Sequence, residues 1–364
     1  MREILLPLPG RDQSYRICLS PGLRLDLGQI LDSLGLPRRL FVVSDRRVAR
    51  LHGAPVLQAL ARDGYAPDLL TVSPGERAKT WAVVQRLARE LLARGAHRGS
   101  ALLALGGGVV GDLSGFLASI FMRGVAFIQV PTTLLAMVDA AIGGKTAINL
   151  PPGKNLLGTF HQPRLVAVDP QFLRTLPAAE RLNGLAEVLK AGFIRAPDLL
   201  PRLALGRSRL FRDEGELTEI IHRAAAIKAE IVAADEREGD RRRFLNFGHT
   251  LGHGLEQASN FRLPHGRAVA LGMAAALRLS EKLAGLPPEE ARWGRGLIKD
   301  FGFTRNLPDL DPGAVMAAVS LDKKRREDGL VFVLLRRLGE AVIQENVPPT
   351  LAAAALAEVL GGGG

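Results

Sequence analysis

Cysteine and aromatic residues are scarce in this sequence, and lysine is scarce relative to arginine. The single cysteine, Cys18, cannot form an internal disulfide, which fits a reducing compartment better than a secreted framework. Aromatic side chains make up 5% of 364 residues. They do not alternate with arginine as the stacking platform of a single-strand nucleic-acid binder requires. There is no zinc-finger spacing and no block of about five or six consecutive basic residues. The net charge of +11 is therefore read as meant for an anionic small molecule, and nucleic acid is not an expected partner. The most apolar stretch, VAFIQVPTTLLAMVDAAIGG, is broken by Gln129, Pro131 and Asp139, so it falls short of the roughly 20 apolar residues of a membrane span. The start, MREILLPLPGRDQSYR, lacks the basic cluster and apolar core of a secretory signal. A cytoplasmic chain with no membrane partner is expected.

What is present divides along the chain. Its 364 residues exceed the size at which one hydrophobic core usually stops growing, so two domains are expected. The first half alternates short β-rich runs (RRLFVVSD, APDLLTVSPG, ALLALGGG) with helical stretches (VLQALARDG, WAVVQRLARELLARG). Such alternation argues for βαβ units and a mostly parallel sheet. After LVAVDP and FLRTLP the texture becomes rich in Ala, Leu and Glu with helical spacing. The expected organisation is an α/β domain over 1–177 and a mostly helical domain over 178–364, with ligands favouring the boundary.

ALLALGGGVVGDLSGF places Gly106, Gly108 and Gly111 in a formal G-x-G-x-x-G between a strand-like run and a plausible helix. Glycines there let backbone N–H groups approach a pyrophosphate at the positive end of the helix. The plain alternative is a tight strand-to-helix turn, since no acidic residue lies about 20 positions on to hold a ribose. Asp45, ending FVVSD, is another ribose candidate or else a helix cap.

FLNFGHTLGHGLE sets His249 and His253 four apart, on one face of a helix, and His265 follows in LPHGRAVALGM. Spacing alone favours His249 with His253 as a metal pair, or as a structural hydrogen-bonding pair. Thr250 stands where a zincin carries its glutamate, so a protease is not expected. Catalytic zinc takes three protein ligands and leaves a position open, and Glu187 in the apolar run NGLAEVLKAG is the candidate carboxylate. The alternative is a surface-facing glutamate.

Only nine basic residues are lysine against 39 arginines, so a retained lysine suggests a compact ammonium donor. Lys145, Lys154, Lys190, Lys228, Lys323 and Lys324 lie in GGKTAIN, PPGKNLLG, GLAEVLK, IKAEI and LDKK. Arg123 follows the apolar run and Arg242 precedes Asn246. Each alone is an ordinary surface cation; together they suggest a pocket for phosphate and carboxylate oxygens.

With these segments assembled, the sequence closely resembles the 3-dehydroquinate synthases. The resemblance runs from GGGVVGDLSGF through MRGVAFIQVPTTLLAMVDAAIGGKTAIN, GKNLLGTFHQP, LNGLAEVLKAG, KAEIVAADERE and LNFGHTLGHGLE to LPHGRAVALGM and LDKK. It implies a Rossmann-like NAD-binding domain, a helical metal-binding domain holding Zn²⁺ or Co²⁺, a homodimer, and a place in the shikimate pathway. The implied reaction converts 3-deoxy-D-arabino-heptulosonate 7-phosphate, a phosphorylated sugar acid, to 3-dehydroquinate by transient oxidation, phosphate elimination, re-reduction and ring closure. The implied metal ligands are Glu187, His249 and His265, with His253 on the substrate side. Implied NAD contacts are Asp45, Glu76, Lys79, Gly107, Gly108, Asp112, Thr132, Thr133, Asp139, Lys145, Lys154 and Thr175. Implied substrate groups are Arg123, Asp139, Lys145, Asn155, Lys190, Lys228, Arg242, Asn246, His253 and Lys324. Of these, Lys145, Lys190, Lys228, Arg242, Asn246 and His253 are the expected catalytic residues.

The sequence departs from the family pattern at Ala140 and Ala141, where small hydroxyl residues are usual, at Ala191 for a common Tyr, and at Arg267 for a customary Glu. Other sugar phosphate cyclases, of inosose or valiolone type, are the nearest alternative. A metal-dependent polyol dehydrogenase and a basic nucleic-acid-binding protein are more remote ones.

Overall fold

The computed structural model describes residues 1–8, 14–151, 153–237, 239, 241–323 and 330–361. Its strands are β1 (Arg2–Leu6), β2 (Tyr15–Leu19), β3 (Arg39–Asp45), β4 (Ala66–Val72), β5 (Ala101–Gly106), β6 (Ala126–Pro131), β7 (Lys145–Leu150), β8 (Gly153–Phe160), β9 (Leu165–Val168), β10 (Leu330–Arg337) and β11 (Glu340–Val347). Seven of them form one sheet in the order β1-β2-β9-β6-β5-β3-β4. All its pairings are parallel except the edge pair β1–β2. Central strand β5 is buried along its whole length, which is why ALLALG reads as a continuous apolar run and not an alternating one. The Trp81–Ala93 helix shows the opposite texture: Val84, Leu87 and Leu91 are its buried residues, and Thr80 accepts a hydrogen bond from Val83 N at its start.

The chain runs from β3 to β4 on one side of the sheet, then returns to β5 and β6 on the other side of β3. The carboxyl ends of β3 and β5 therefore flank a topological switch point, the usual place for a ligand in such sheets. Asp45 and Gly106 are the last residues of those strands.

The chain divides into two compact units, Met1–Pro177 with Glu214–Arg237, and Ala178–Asp213 with Glu238–Gly364. Residues 214–237 thus cluster with the sheet, whereas the sequence reading places them in the helical domain. The Glu214–Ala234 helix packs on β1 and on the turn Ala136–Ala140. Ion pairs Arg2–Glu219, Arg174–Glu214 and Lys228–Asp139 fasten it there. Helical spacing marks a helix but not the neighbour it covers.

The second unit is mostly helical, with Ala178–Ile194, His249–Ala258 and His265–Leu283 among its helices. It also contains the antiparallel hairpin β10–β11, turning near Gly339 at φ 90°, which the reading of a largely helical domain did not anticipate. The run LVFVLL before a glycine is the strand signal that was available. A second hairpin, β7–β8, belongs to the first unit. No helix among the described residues is long and apolar enough to cross a membrane.

Candidate metal and nucleotide sites

In the helical unit, Glu187 sits mid-helix in Ala178–Ile194 and is 3% exposed, so the surface-facing alternative does not apply. His249 opens one helix and His265 opens another. Ligand atoms of these three side chains all lie within 4.8 Å of one another. Glu187 Oε1 is 3.5 Å from His265 Nε2 and 3.8 Å from His249 Nε2. It has no hydrogen-bond partner among the described residues, while Oε2 is ion-paired with Lys190. Ligands held at about 2.0–2.2 Å around a tetrahedral ion stand roughly 3.3–3.5 Å apart. A buried carboxylate oxygen with two imidazole nitrogens at this spacing, and no donor of its own, fits a divalent metal.

The electrostatics agree. Burial would raise the Glu187 carboxyl, but the Lys190 ammonium, then His265 and His249, hold it well below the usual carboxylate range. Burial and the Lys190 charge push His249 well below its ordinary value, leaving it neutral. His265 goes the other way: against burial, Glu187 and Glu256 raise it to about 10. In the absence of an ion, a proton on His265 balances part of the local negative charge.

His253 stands beside this cluster but outside the ligand set, its ring centroid 5.3 Å from that of His249 and 6.4 Å from that of His265. Helical spacing therefore misleads here: the chain partner of His249 at i+4 is not its partner around the ion. Arg242 is fully buried in the turn Arg241–Asn246, which also carries Asn246. Lys324 lies outside the described residues.

In the sheet unit, Gly107 caps the Gly108–Ile120 helix with no side-chain hydrogen bond, leaving its first N–H groups uncapped by any side chain. Two glycines of the formal motif are explained by packing: a Cβ at Gly106 would lie 2.6 Å from Val110, and one at Gly111 would lie 2.8 Å from Gln129 Oε1. At Gly107 a Cβ would meet Thr133 at 3.0 Å, and at Gly108 it would meet Ala140 at 3.2 Å. The tight-turn and nucleotide readings thus share the loop. Thr132 N donates to Gly106 O, its own hydroxyl is buried without a partner among the described residues, and Thr133 Oγ1 accepts from Ala136 N. This bare helix start and the orphaned Thr132 hydroxyl suit a pyrophosphate.

Asp45 Oδ1 accepts from Arg47 N at 2.8 Å and Val48 N at 3.0 Å, so the helix-cap alternative holds for that oxygen. Lys79, 3% exposed, donates to Asp112 at 2.7 Å and to Asn155. Burial raises the Asp112 carboxyl to about 6, with the Lys79 charge opposing. Asn155, expected among the substrate groups, is thereby joined to residues expected around NAD. Asp139 pairs with Lys228 at 2.5 Å. Lys145 begins β7, Lys154 lies on β8, and Arg123 ends the turn Phe121–Arg123 at φ 69°. Thr175 donates to Phe172 O and meets His52 Nε2 at 2.8 Å.

Sequence reasoning missed Asn149. Its side chain donates to Glu76 at 2.8 Å and accepts from Asn155 N at 2.9 Å, and its N–H donates to Lys79 O. No spacing signal marks it. It also missed Glu256, at i+7 from His249 on the same helical face, which has such a signal. Arg267 donates to Phe303 O and Arg305 O, which accounts for a cation where the family pattern has a glutamate: it braces a backbone turn.

The family profile described as 3-dehydroquinate synthase N-terminal matches residues 69–183, and the one described as 3-dehydroquinate synthase C-terminal matches 184–325. The 3-dehydroquinate synthase of Gloeobacter violaceus is 45% identical over 347 residues, covering 95% of this chain and 96% of that one. The chain belongs to the 3-dehydroquinate synthase family. Its relative of that name in Caulobacter vibrioides is 42% identical, covering 94% of this chain and 95% of its own. Among solved structures, 2-epi-5-epi-valiolone synthase from Streptomyces hygroscopicus subsp. jinggangensis, with NAD⁺ and Zn²⁺ bound, superposes at a TM-score of 0.87. It is 30% identical, with 96% of this chain and 97% of that one covered. A 3-dehydroquinate synthase fold thus accounts for the doubly wound sheet and the helical unit together.

Proposed function

We propose that this protein is a 3-dehydroquinate synthase, releasing phosphate from 3-deoxy-D-arabino-heptulosonate 7-phosphate and closing the carbocycle. The reading is carried by near-full-length identity to curated 3-dehydroquinate synthases. The Glu187–His249–His265 cluster supports it. When bound, the divalent ion supplies Lewis acidity at the oxygen becoming a carbonyl, and NAD supplies a hydride acceptor restored in each turnover. Glu187, His249 and His265 hold the ion, and Lys190 keeps Glu187 ionised. Gly107, Gly108, Thr132 and the helix start they flank bind the pyrophosphate, while Asp45, Glu76, Lys79, Asp112, Thr133, Lys154 and Thr175 complete the nucleotide contacts.

Arg123, Lys145, Asn155, Lys190, Lys228, Arg242, Asn246 and His253 are the proposed contacts to the anionic substrate. Lys324 is proposed with them. Lys228, paired with Asp139, exchanges one charge-assisted bond for another when a substrate oxyanion replaces that carboxylate. The carbon acid adjacent to the transient carbonyl gives its proton to the departing phosphate, so these residues supply positioning and charge.

The test is incubation with the heptulosonate phosphate, NAD⁺ and Zn²⁺ or Co²⁺, following inorganic phosphate and carbocyclic product. Phosphate release that a chelator abolishes and added metal restores is expected; no release under metal-replete conditions overturns the reading. A cyclase of valiolone type is the second reading, favoured by the 30% identity to that synthase, and the identity of the carbocycle separates the two.

A cytoplasmic homodimer is proposed with this activity. The lone, buried Cys18 fits a reducing compartment. The open side of β8 carries Leu156 and Phe160 at 49% and 47% exposure, apolar area that a second copy would cover. Light scattering on the native protein and on a Leu156→Lys, Phe160→Lys double variant tests it, with a dimer becoming a monomer expected.

A further inference from the structure

We infer that Glu256 is a positioning residue for His265, holding its Nδ1 so that Nε2 is presented to the metal ion. The inference rests on the metal reading above and extends it to a side chain that is not a ligand. His265 divides its two nitrogens between two carboxylates: Nε2 lies 3.5 Å from Glu187 Oε1, and Nδ1 lies 3.2 Å from Glu256 Oε2. Glu256 is 8% exposed, and a buried carboxylate is retained only where it has a partner. Its oxygen stands on the Nδ1 side, away from the atoms that converge on the ion, and the ligand cluster among the described residues does not include it. An Nδ1–H donated to this carboxylate fixes the tautomer whose Nε2 lone pair faces Glu187.

The backbone keeps Glu256 in place. The carbonyl of Glu256 accepts from Phe261 N at 2.7 Å and Ser259 Oγ at 2.8 Å, and Ser259 Oγ in turn accepts from Leu263 N. Asn260 and Phe261 take left-handed conformations, φ 50° and 57°, which close the turn between the two histidine-bearing helices. At the far end, Gly266 N donates to Asn183 Oδ1 at 2.5 Å, and a Cβ at Gly266 would lie 2.0 Å from Asn183 O. The start of the His265 helix is therefore pressed against the helix that carries Glu187, and the ring has a fixed seat. The other imidazole is held differently: His249 Nδ1 faces the carbonyl of Phe247 at 3.3 Å. A charged acceptor behind His265 and a neutral one behind His249 make His265 the stronger donor of the pair.

Metal affinity tests this directly. Native protein, Glu256→Ala and Glu256→Gln are titrated with Co²⁺ and with Zn²⁺ against a chromophoric chelator at one fixed pH, and the visible absorption of the Co²⁺ forms is recorded. Alanine should weaken binding by roughly 10- to 100-fold and alter the Co²⁺ spectrum. Glutamine, which keeps an acceptor without its charge, should fall between alanine and native. Equal affinity and an unchanged spectrum in both variants would overturn the inference. If the alanine variant does not fold, as judged by circular dichroism, the isosteric glutamine variant decides alone, native-like affinity again counting against it. Native protein that binds neither ion would sink the metal reading itself, whereas tight native binding unaffected by Glu256 sinks only this step.

Discussion

The two units handle buried charge in opposite ways. In the sheet unit, the Lys79 ammonium is matched within the protein by Asp112 and Asn155, and Asn149 ties the surrounding loops to the same network. In the helical unit, Glu187 is equally buried, yet one of its oxygens accepts no hydrogen bond from a described residue and faces two imidazole nitrogens. A buried charge without a full set of partners costs several kcal/mol, so it persists where an external ion completes it. The first network shapes a surface; the second is tuned for a cation.

That contrast can be broken or sharpened in five ways. The largest effect is expected at Glu187 and His249. Alanine at either position should reduce metal affinity by about 100-fold or more, beyond the 10- to 100-fold typical of an outer residue, as measured by metal content after dialysis. Retained stoichiometric metal in both variants would erase the distinction between the units. His253→Ala should keep its metal and lose turnover by roughly 10²- to 10⁴-fold, the range of a positioned acid or base; a metal-free variant would place it among the ligands instead.

Asp112→Ala leaves Lys79 as a buried cation without its main counter-charge, and should cost roughly 3–5 kcal/mol in denaturant unfolding. A loss under about 1 kcal/mol would mean that the network is solvated and worth no more than a surface pair. The fourth effect follows from His265, raised to about 10 in the metal-free protein. A raised histidine stabilises the folded state fully below its unfolded value near 6.5 and ceases to do so as pH climbs through about 10. Metal must displace that proton, so apparent affinity should tighten with rising pH from neutrality, by at most about tenfold per pH unit for this one proton. A flat profile in a competition titration would remove His265 from the competition. The smallest effect is expected for Arg267→Ala, which loses hydrogen bonds to Phe303 O and Arg305 O and should lower stability by about 1 kcal/mol with little change in metal content.

The parallel sheet was legible in the sequence because its strands are buried on both faces, and LFVVS and ALLALG leave no polar alternation to confuse them. Lys79, Gly107 and Asp112 were singled out through family motifs, and the structure joins Lys79 to Asp112 by a hydrogen bond. Asn149 was not: an asparagine in a strand carries no mark of the loops it will join. Glu256 was within reach, since His249, His253 and Glu256 share one helical face, but a carboxylate on a helix is ordinary until its neighbour is known.

The sequence by itself determined the family, the sheet strands and which side chains carry metal-seeking chemistry, because these depend on residue type and local period. Helical period alone pairs His249 with His253, and the family resemblance names His265 instead; only the tertiary structure shows His265 and His249 meeting at Glu187, and only it joins the Glu214–Ala234 helix to the sheet. The physical reason is the same in both cases. A helix fixes which residues face one direction, but the packing of other helices and strands against that face decides what they meet there.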